Sequence, residues 1–171
     1  MKGIIIYSSK TGNTKKMAEY LANNLKKDYI IDIFSADDLA NLSEYDFLLL
    51  GGWVDKGHLD KKAMKILKRI DKFKIGIFGT IGAMPNSAHG LEVKGNLENL
   101  IADKYSLGVY LCPGTVDPKL IKQLEGLAGK FMPSSIKKQI LEVAYVSREA
   151  TEAELHAAFE FFKSNLEKLN S

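Results

Sequence analysis

The chain has 171 residues, 46% hydrophobic and 26% charged, with 24 Lys and Arg against 21 Asp and Glu. This profile suits one soluble globular domain with an adequate core and excludes a disordered or fibrous chain. The longest apolar runs, such as Phe47 to Leu50, are far too short to span a bilayer, so no stable membrane insertion is expected. The single cysteine, Cys112, forbids an intramolecular disulfide and fits a cytoplasmic protein, as does the absence of a signal-peptide layout. Three scattered histidines offer no metal-ligand spacing. The net charge of +3 favours an acidic partner or an anionic ligand. No nucleic-acid module accompanies it, so nucleic acid is not an expected partner.

Gly3 to Tyr7 contains the β-branched run Ile4-Ile5-Ile6 and predicts a buried first strand. Ser8 to Thr14 is a turn rich in hydroxyls. After it, Met17, Ala18, Leu21, Ala22 and Leu25 share one helical face. Strand, polar loop and helix start in succession gather backbone N–H groups and the positive helix end at one point, which suits a phosphate. The loop matches neither G-x-x-x-x-G-K-[ST] nor G-x-G-x-x-G. Ser9, Thr11, Asn13 and Thr14 are the side chains that would wrap a terminal monophosphate. The plainer reading is a helix cap in which Asn13 or Thr14 accepts the orphan amides.

Tyr29 to Phe34 reads as strand two, and 35–43 as a connection with a helical turn around Leu39. Tyr45 to Leu50 is strand three, a dense apolar run suited to the middle of a parallel sheet, ending in Gly51-Gly52-Trp53. Asp60 caps a helix through Ile70. Lys74 to Phe78 is strand four, leading into a loop from Gly79 to Pro85. A helix within Leu91 to Lys104 precedes strand five, Leu107 to Leu111, closed by Cys112-Pro113-Gly114. Two further helices are expected near Pro118–Leu127 and Ser135–Val143. The last helix starts at Thr151, with Glu154 completing a capping box and Leu155, Ala158, Phe159, Phe162, Leu166 and Leu169 as its buried stripe.

Alternating strands and helices predict an α/β doubly wound fold around a five-stranded parallel sheet of order 2-1-3-4-5. The whole of 1–171 is read as one domain, with 113–150 as a helical insertion after strand five. In that strand order the ligand crevice opens above strands one and three at their C-terminal ends, where the three glycine-bearing loops converge.

Ser9-Lys10-Thr11-Gly12-Asn13-Thr14 resembles the phosphate loop of the flavodoxin family, and the Trp-bearing second loop and glycine-rich third loop extend the likeness. That resemblance implies a flavodoxin-like fold, non-covalent FMN and single-electron transfer. It assigns Ser9, Lys10, Thr11, Gly12, Asn13 and Thr14 to the phosphate, and Trp53, between Gly52 and Val54, to one face of the isoalloxazine ring. Backbone N–H groups of Thr80, Ile81, Gly82 and Ala83 are candidate donors to the pyrimidine edge, with the Met84 thioether against the ring. Apolar walls beside a phosphate dianion disfavour a reduced, anionic ring and lower its potential. Three features depart from the family pattern: Lys10 stands where a hydroxyl is usual, Met84-Pro85-Asn86 replaces a third-loop tyrosine, and Val54 follows Trp53 where a glycine is frequent.

By overall resemblance the chain looks similar to short flavodoxin-like proteins associated with bilin (bilirubin) reductases. This implies a redox partner protein, a reductase, that receives its electrons. Lys61, Lys62, Lys65, Lys68, Arg69, Lys72 and Lys74 form a basic cluster, read either as a solvated helix face or as a docking surface for an acidic partner. The alternative is an FMN oxidoreductase acting on its own substrate, of quinone reductase or protoporphyrinogen dehydrogenase type. A third reading, a fold that binds no flavin, conflicts with the intact phosphate loop and Trp53.

Overall fold

The structure is a computed structural model that describes residues 1–38, 41–70 and 73–169. Its strands are β1 (Lys2–Tyr7), β2 (Ile30–Ser35), β3 (Phe47–Asp55), β4 (His58–Leu59), β5 (Lys74–Ile81) and β6 (Tyr105–Pro113). Its α-helices are α1 (Asn13–Leu25), α2 (Lys61–Leu67), α3 (Ala88–Leu100), α4 (Pro118–Glu125), α5 (Ser134–Val146) and α6 (Glu152–Glu167). The helical turn expected around Leu39 lies outside the described residues.

The sheet runs β2-β1-β3-β5-β6, all parallel, with β4 folding back antiparallel on β3. Leaving aside that short hairpin strand, this is the expected order 2-1-3-4-5. Alternate residues of the strands feed two cores, as the pleat requires. Ile4, Ile6, Leu48, Leu50, Ile75 and Ile77 face α2 and α3. Ile5, Phe47, Leu49 and Phe78 face α1 and α6.

Two expected loops are strand instead. Gly51-Gly52-Trp53 continues β3, and Gly79-Thr80-Ile81 continues β5. Both stretches remain in register, with Gly51 opposite Phe78, Gly52 opposite Gly79 and Trp53 opposite Thr80. Glycine had signalled a turn, yet here it makes room for packing. A Cβ on Gly51 would lie 2.2 Å from the Phe78 ring, and one on Gly52 would lie 2.9 Å from Asp60 Oδ2. The chain turns beyond the expected Gly51–Trp53 loop, at Lys56-Gly57, both with positive φ.

The extension shapes the site. β1 stops at Tyr7, opposite Gly51, while β3, β5 and β6 run on to Asp55, Ile81 and Pro113. The loop leaving β1 is therefore recessed against a taller wall of three strands.

The helices follow expectation with shifted ends. α2 stops at Leu67 rather than Ile70, and α3 begins at Ala88, capped by Ser87. The capping box of α6 forms as expected between Thr151 and Glu154. Of its expected stripe, Leu155, Ala158, Phe159, Phe162 and Leu166 are buried, but Leu169 lies beyond the helix and is 36% exposed. No helix among the described residues is long and apolar enough to cross a membrane.

Candidate functional site

The loop between β1 and α1 turns at Gly12, whose φ of +95° is a conformation glycine adopts freely. The Gly12 N–H donates to Ser9 Oγ at 3.2 Å, closing the turn on itself. α1 then starts with no side chain capping it, whereas Asp60, Ser87, Asp117 and Thr151 cap α2, α3, α4 and α6. The cap-only reading of Asn13 and Thr14 therefore fails, because both residues lie inside the helix and spend their side chains elsewhere.

Asn13 is buried and its Nδ2 donates to Thr11 Oγ1 and to Thr115 Oγ1, each at 2.7 Å. A hydroxyl that accepts from an amide keeps its own proton for a further acceptor. In this way Asn13 holds two threonine hydroxyls beside the uncapped helix end. Among the described residues, Asn13 Oδ1 and Asp60 Oδ2 are buried side-chain oxygens with no hydrogen-bond partner. Thr14 is fully buried, and its Oγ1 pairs with Thr80 Oγ1 at 2.8 Å, joining α1 to β5. Its side chain is a strut, leaving its backbone N–H as its contribution to an anion.

Asp60 forms a second strut. Ser8 Oγ donates to Asp60 Oδ1 at 2.8 Å, and the same oxygen accepts from Lys62 N at 3.0 Å. This buried carboxylate ties the loop after β1 to the start of α2.

Beside the loop lies a cavity of about 250 Å3, walled by Lys10, Thr11, Trp53, Thr80, Ile81 and Gly82 on the expected side. Val54 and Lys56, at the tip of the β3–β4 hairpin, line it too. Its other side comes from residues that the sequence reading did not single out: Gly114, Thr115, Val116, Asp117 and Leu120. Trp53 is half-buried and presents its ring to Lys10, whose Nζ lies 5.3 Å from the ring centroid. Lys10 also reaches Asp117 Oδ2 at 3.1 Å. The Asp117 carboxyl is held below its ordinary value, first by the Lys119 backbone N–H and then by Lys10.

The cavity opens into a wider groove of about 930 Å3, sharing Val54, Lys56, Ile81, Gly82, Val116 and Leu120 with it. Ala83 and the exposed Met84 line this groove, as does His89, which sits 3.8 Å from Glu92 in the first turn of α3. Gly52 lines neither space, and Ser9 meets the loop turn rather than the cavity. The signal for the missed residues was present: Cys112-Pro113-Gly114 ends a strand at the same sheet edge, and Asp117-Pro118 is a helix start.

Fold and loop together define a doubly wound α/β protein with an anion cradle at its topological switch point. A family model described as flavodoxin domain matches residues 4–163. The flavodoxin-like domain-containing protein BilS of Clostridioides difficile (strain CD3) is 35% identical over 136 residues, spanning 77% of this chain and 72% of that protein. Among solved structures, a Streptococcus pneumonia TIGR4 flavodoxin superposes with a TM-score of 0.62 at 13% identity, covering 98% of this chain and 99% of its own. A flavoprotein of Lactobacillus acidophilus NCFM, solved in complex with FMN, gives a TM-score of 0.53 at 16% identity over 73% of this chain and 99% of its own. The chain belongs to the flavodoxin family.

The residues present fit FMN, the cofactor that the family resemblance implies. A helix end without a side-chain cap and two threonine hydroxyls oriented by Asn13 suit a phosphate. A cavity that carries one tryptophan beside the aliphatic Val54, Val116 and Leu120 suits a flat ring.

Proposed function

We propose that this protein is an FMN-dependent electron carrier that delivers reducing equivalents to a partner reductase. The observation that carries the reading is a cavity walled by Lys10, Thr11 and Trp53, with Thr11 held by Asn13 at the uncapped α1 N-terminus. Bound FMN supplies the redox chemistry, and the protein sets its position and potential. The backbone N–H groups of the loop and the Thr11 hydroxyl bind the phosphate, and the Asn13 side chain holds Thr11 in place. Ser9 holds the loop turn through Gly12, and Lys10 places a cation between phosphate loop and ring. Trp53 covers one ring face, while Thr80, Ile81, Gly82 and Ala83 offer backbone donors at the β5 edge.

The partner reading rests on α2. Lys61, Lys62, Lys65, Lys68 and Arg69 are exposed on the helix that follows the Trp53 hairpin, and Lys62 pairs with Asp37 at 2.7 Å. Lys74 is half-buried at the start of β5, and Lys72 lies outside the described residues. An exposed cationic face steers an acidic partner, such as the bilin reductase that the family resemblance implies. Electron delivery from the reduced, FMN-loaded protein to such a reductase is the test. It should slow steeply as salt rises and slow further in Lys61→Glu/Lys65→Glu. Transfer indifferent to salt and to both substitutions removes the docking face from the account.

The groove of about 930 Å3 favours a second reading, an oxidoreductase with its own substrate. Its size is that of a small-molecule site. Reduction of a quinone, or oxidation of a porphyrinogen, at a useful rate with no partner present would support it.

A further inference from the structure

The segment after β6 is more than an appendage to a finished fold. We propose that residues 113–150 complete the cofactor site: Val116 and Leu120 form the second wall of the flavin ring, facing Trp53, Val143 extends that wall along the adjoining groove, and Thr115 joins the phosphate cradle. This rests on the FMN reading above and assigns to the insertion a role that family membership leaves open.

Four observations carry it. Trp53, Val116 and Leu120 border the same cavity, so a ring held against the tryptophan meets those aliphatic side chains on its other side. Leu120 and Val143 are 38% and 37% exposed, although each lines the cavity or the groove continuous with it. Large apolar side chains left half-exposed on a concave surface mark a surface that a ligand covers. The third loop has no aromatic residue to serve as this wall. In its place stands Gly82, where a Cβ would lie 2.6 Å from Val116 Cγ2 and 3.7 Å from Val143 Cγ1. Glycine at that position lets the insertion close directly over the end of β5.

The second part is polar. Thr115 Oγ1 accepts from Asn13 Nδ2 at 2.7 Å, as Thr11 Oγ1 does. The Thr115 hydroxyl thus stands beside the α1 N-terminus with a proton to donate, while Thr11 Oγ1 donates its own to the Thr115 carbonyl at 3.4 Å. The insertion is fastened here once more, by Lys10 to Asp117 at 3.1 Å, while Ser147 Oγ, which accepts from Val116 N at 3.0 Å, ties the insertion's two ends to each other. A wall hinged at the phosphate loop and latched at its far end can hold a ring in a fixed place.

The test titrates apoprotein with FMN, riboflavin and lumiflavin, which carry the ring with a phosphorylated side chain, with a bare one and with none. Leu120→Ala/Val143→Ala should weaken all three by the same factor, about tenfold for the apolar cover lost. Thr115→Val should weaken FMN about tenfold and leave lumiflavin unchanged. In a Trp53→Ala background, Leu120→Tyr should restore quenching of flavin fluorescence, a gain that loosened packing cannot produce. If wild type binds no flavin, the functional reading itself fails. If wild type binds FMN and Trp53→Ala weakens it, but the insertion variants bind all three ligands as wild type does, only this inference falls. It falls equally if those variants keep their flavin affinity and lose electron delivery to a reductase, because the face then belongs to the partner.

Discussion

The strands with α1 and α6 are built differently from the insertion between β6 and α6. α1 buries Met17, Ala18, Leu21, Ala22 and Leu25, and α6 buries five residues against the same sheet face. In α4 and α5 only Leu124 and Ala144 are buried, while Phe131, between them, is 93% exposed. The insertion is held instead by individual polar ties: Lys10 to Asp117, Lys16 to Glu149 and the bidentate pair of Arg148 with Glu154 join it to the fold, while Tyr145 to Glu125 and Ser147 to Val116 brace it internally. Burial distributes stability over many contacts, whereas ties concentrate it in a few. The first region is therefore a rigid floor, and the second is an attached wall that can open without unfolding the floor.

The largest expected contrast is in stability. Phe162→Ala, at a fully buried ring of α6, should cost about 3–5 kcal/mol in denaturant unfolding, and Ile136→Ala on α5 should stay within about 0.5 kcal/mol. Equal costs would erase the distinction. Hydrogen exchange should sharpen it, with amides of α4 and α5 exchanging well before those of α1 and α6.

Trp53→Ala should restore flavin fluorescence and raise the two-electron potential, because removing an apolar wall lets water reach a reduced, anionic ring. Unchanged fluorescence would take Trp53 off the ring.

The Arg148–Glu154 tie makes a pH prediction. The Arg148 hydrogen bond is the main cause lowering the Glu154 carboxyl from its ordinary 4.5 to about 2, despite opposing desolvation. A carboxylate with a depressed folded value contributes stability that is fully present above pH 4.5 and lost as pH falls towards about 2. Glu154→Gln should flatten that part of the stability profile, read as melting temperature against pH. A profile identical to wild type would show that the tie contributes nothing.

The smallest effect concerns Cys112, at the end of β6 beneath α6. Burial is the main cause pushing its thiol up to about 12, so it should resist alkylation in the folded protein and react only on unfolding. Fast labelling under native conditions would mean that the β6 edge opens with the insertion.

Elements with strong periodic patterns were legible in the sequence. The Ile4-Ile5-Ile6 and Phe47–Leu50 runs, the α1 face and the Thr151–Glu154 box gave the order of the sheet and both cores. The ends of β3 and β5 were not legible, because Gly51, Gly52 and Gly79 look alike whether a chain is turning or making room for a neighbouring ring. The loop from Ser9 to Thr14 was legible as a polar turn leading into a helix start. Thr115 was not, because its part depends on Asn13, 102 positions away in the chain and adjacent only once β6 lies beside β5. Val116 and Leu120 escaped for a related reason: an aliphatic residue on a short amphipathic helix has no mark to separate a ligand wall from a core contact.

The measurement that bears most directly on the account is calorimetric titration of apoprotein with FMN and with riboflavin, in wild type and in Thr11→Ala and Asn13→Ala. Charge-assisted hydrogen bonds to a phosphate make FMN tighter than riboflavin by at least about tenfold in wild type. Each substitution should shrink that gap while leaving riboflavin nearly unchanged. Equal affinity for the two flavins in wild type, or equal loss of both in the variants, would contradict a phosphate site at the start of α1.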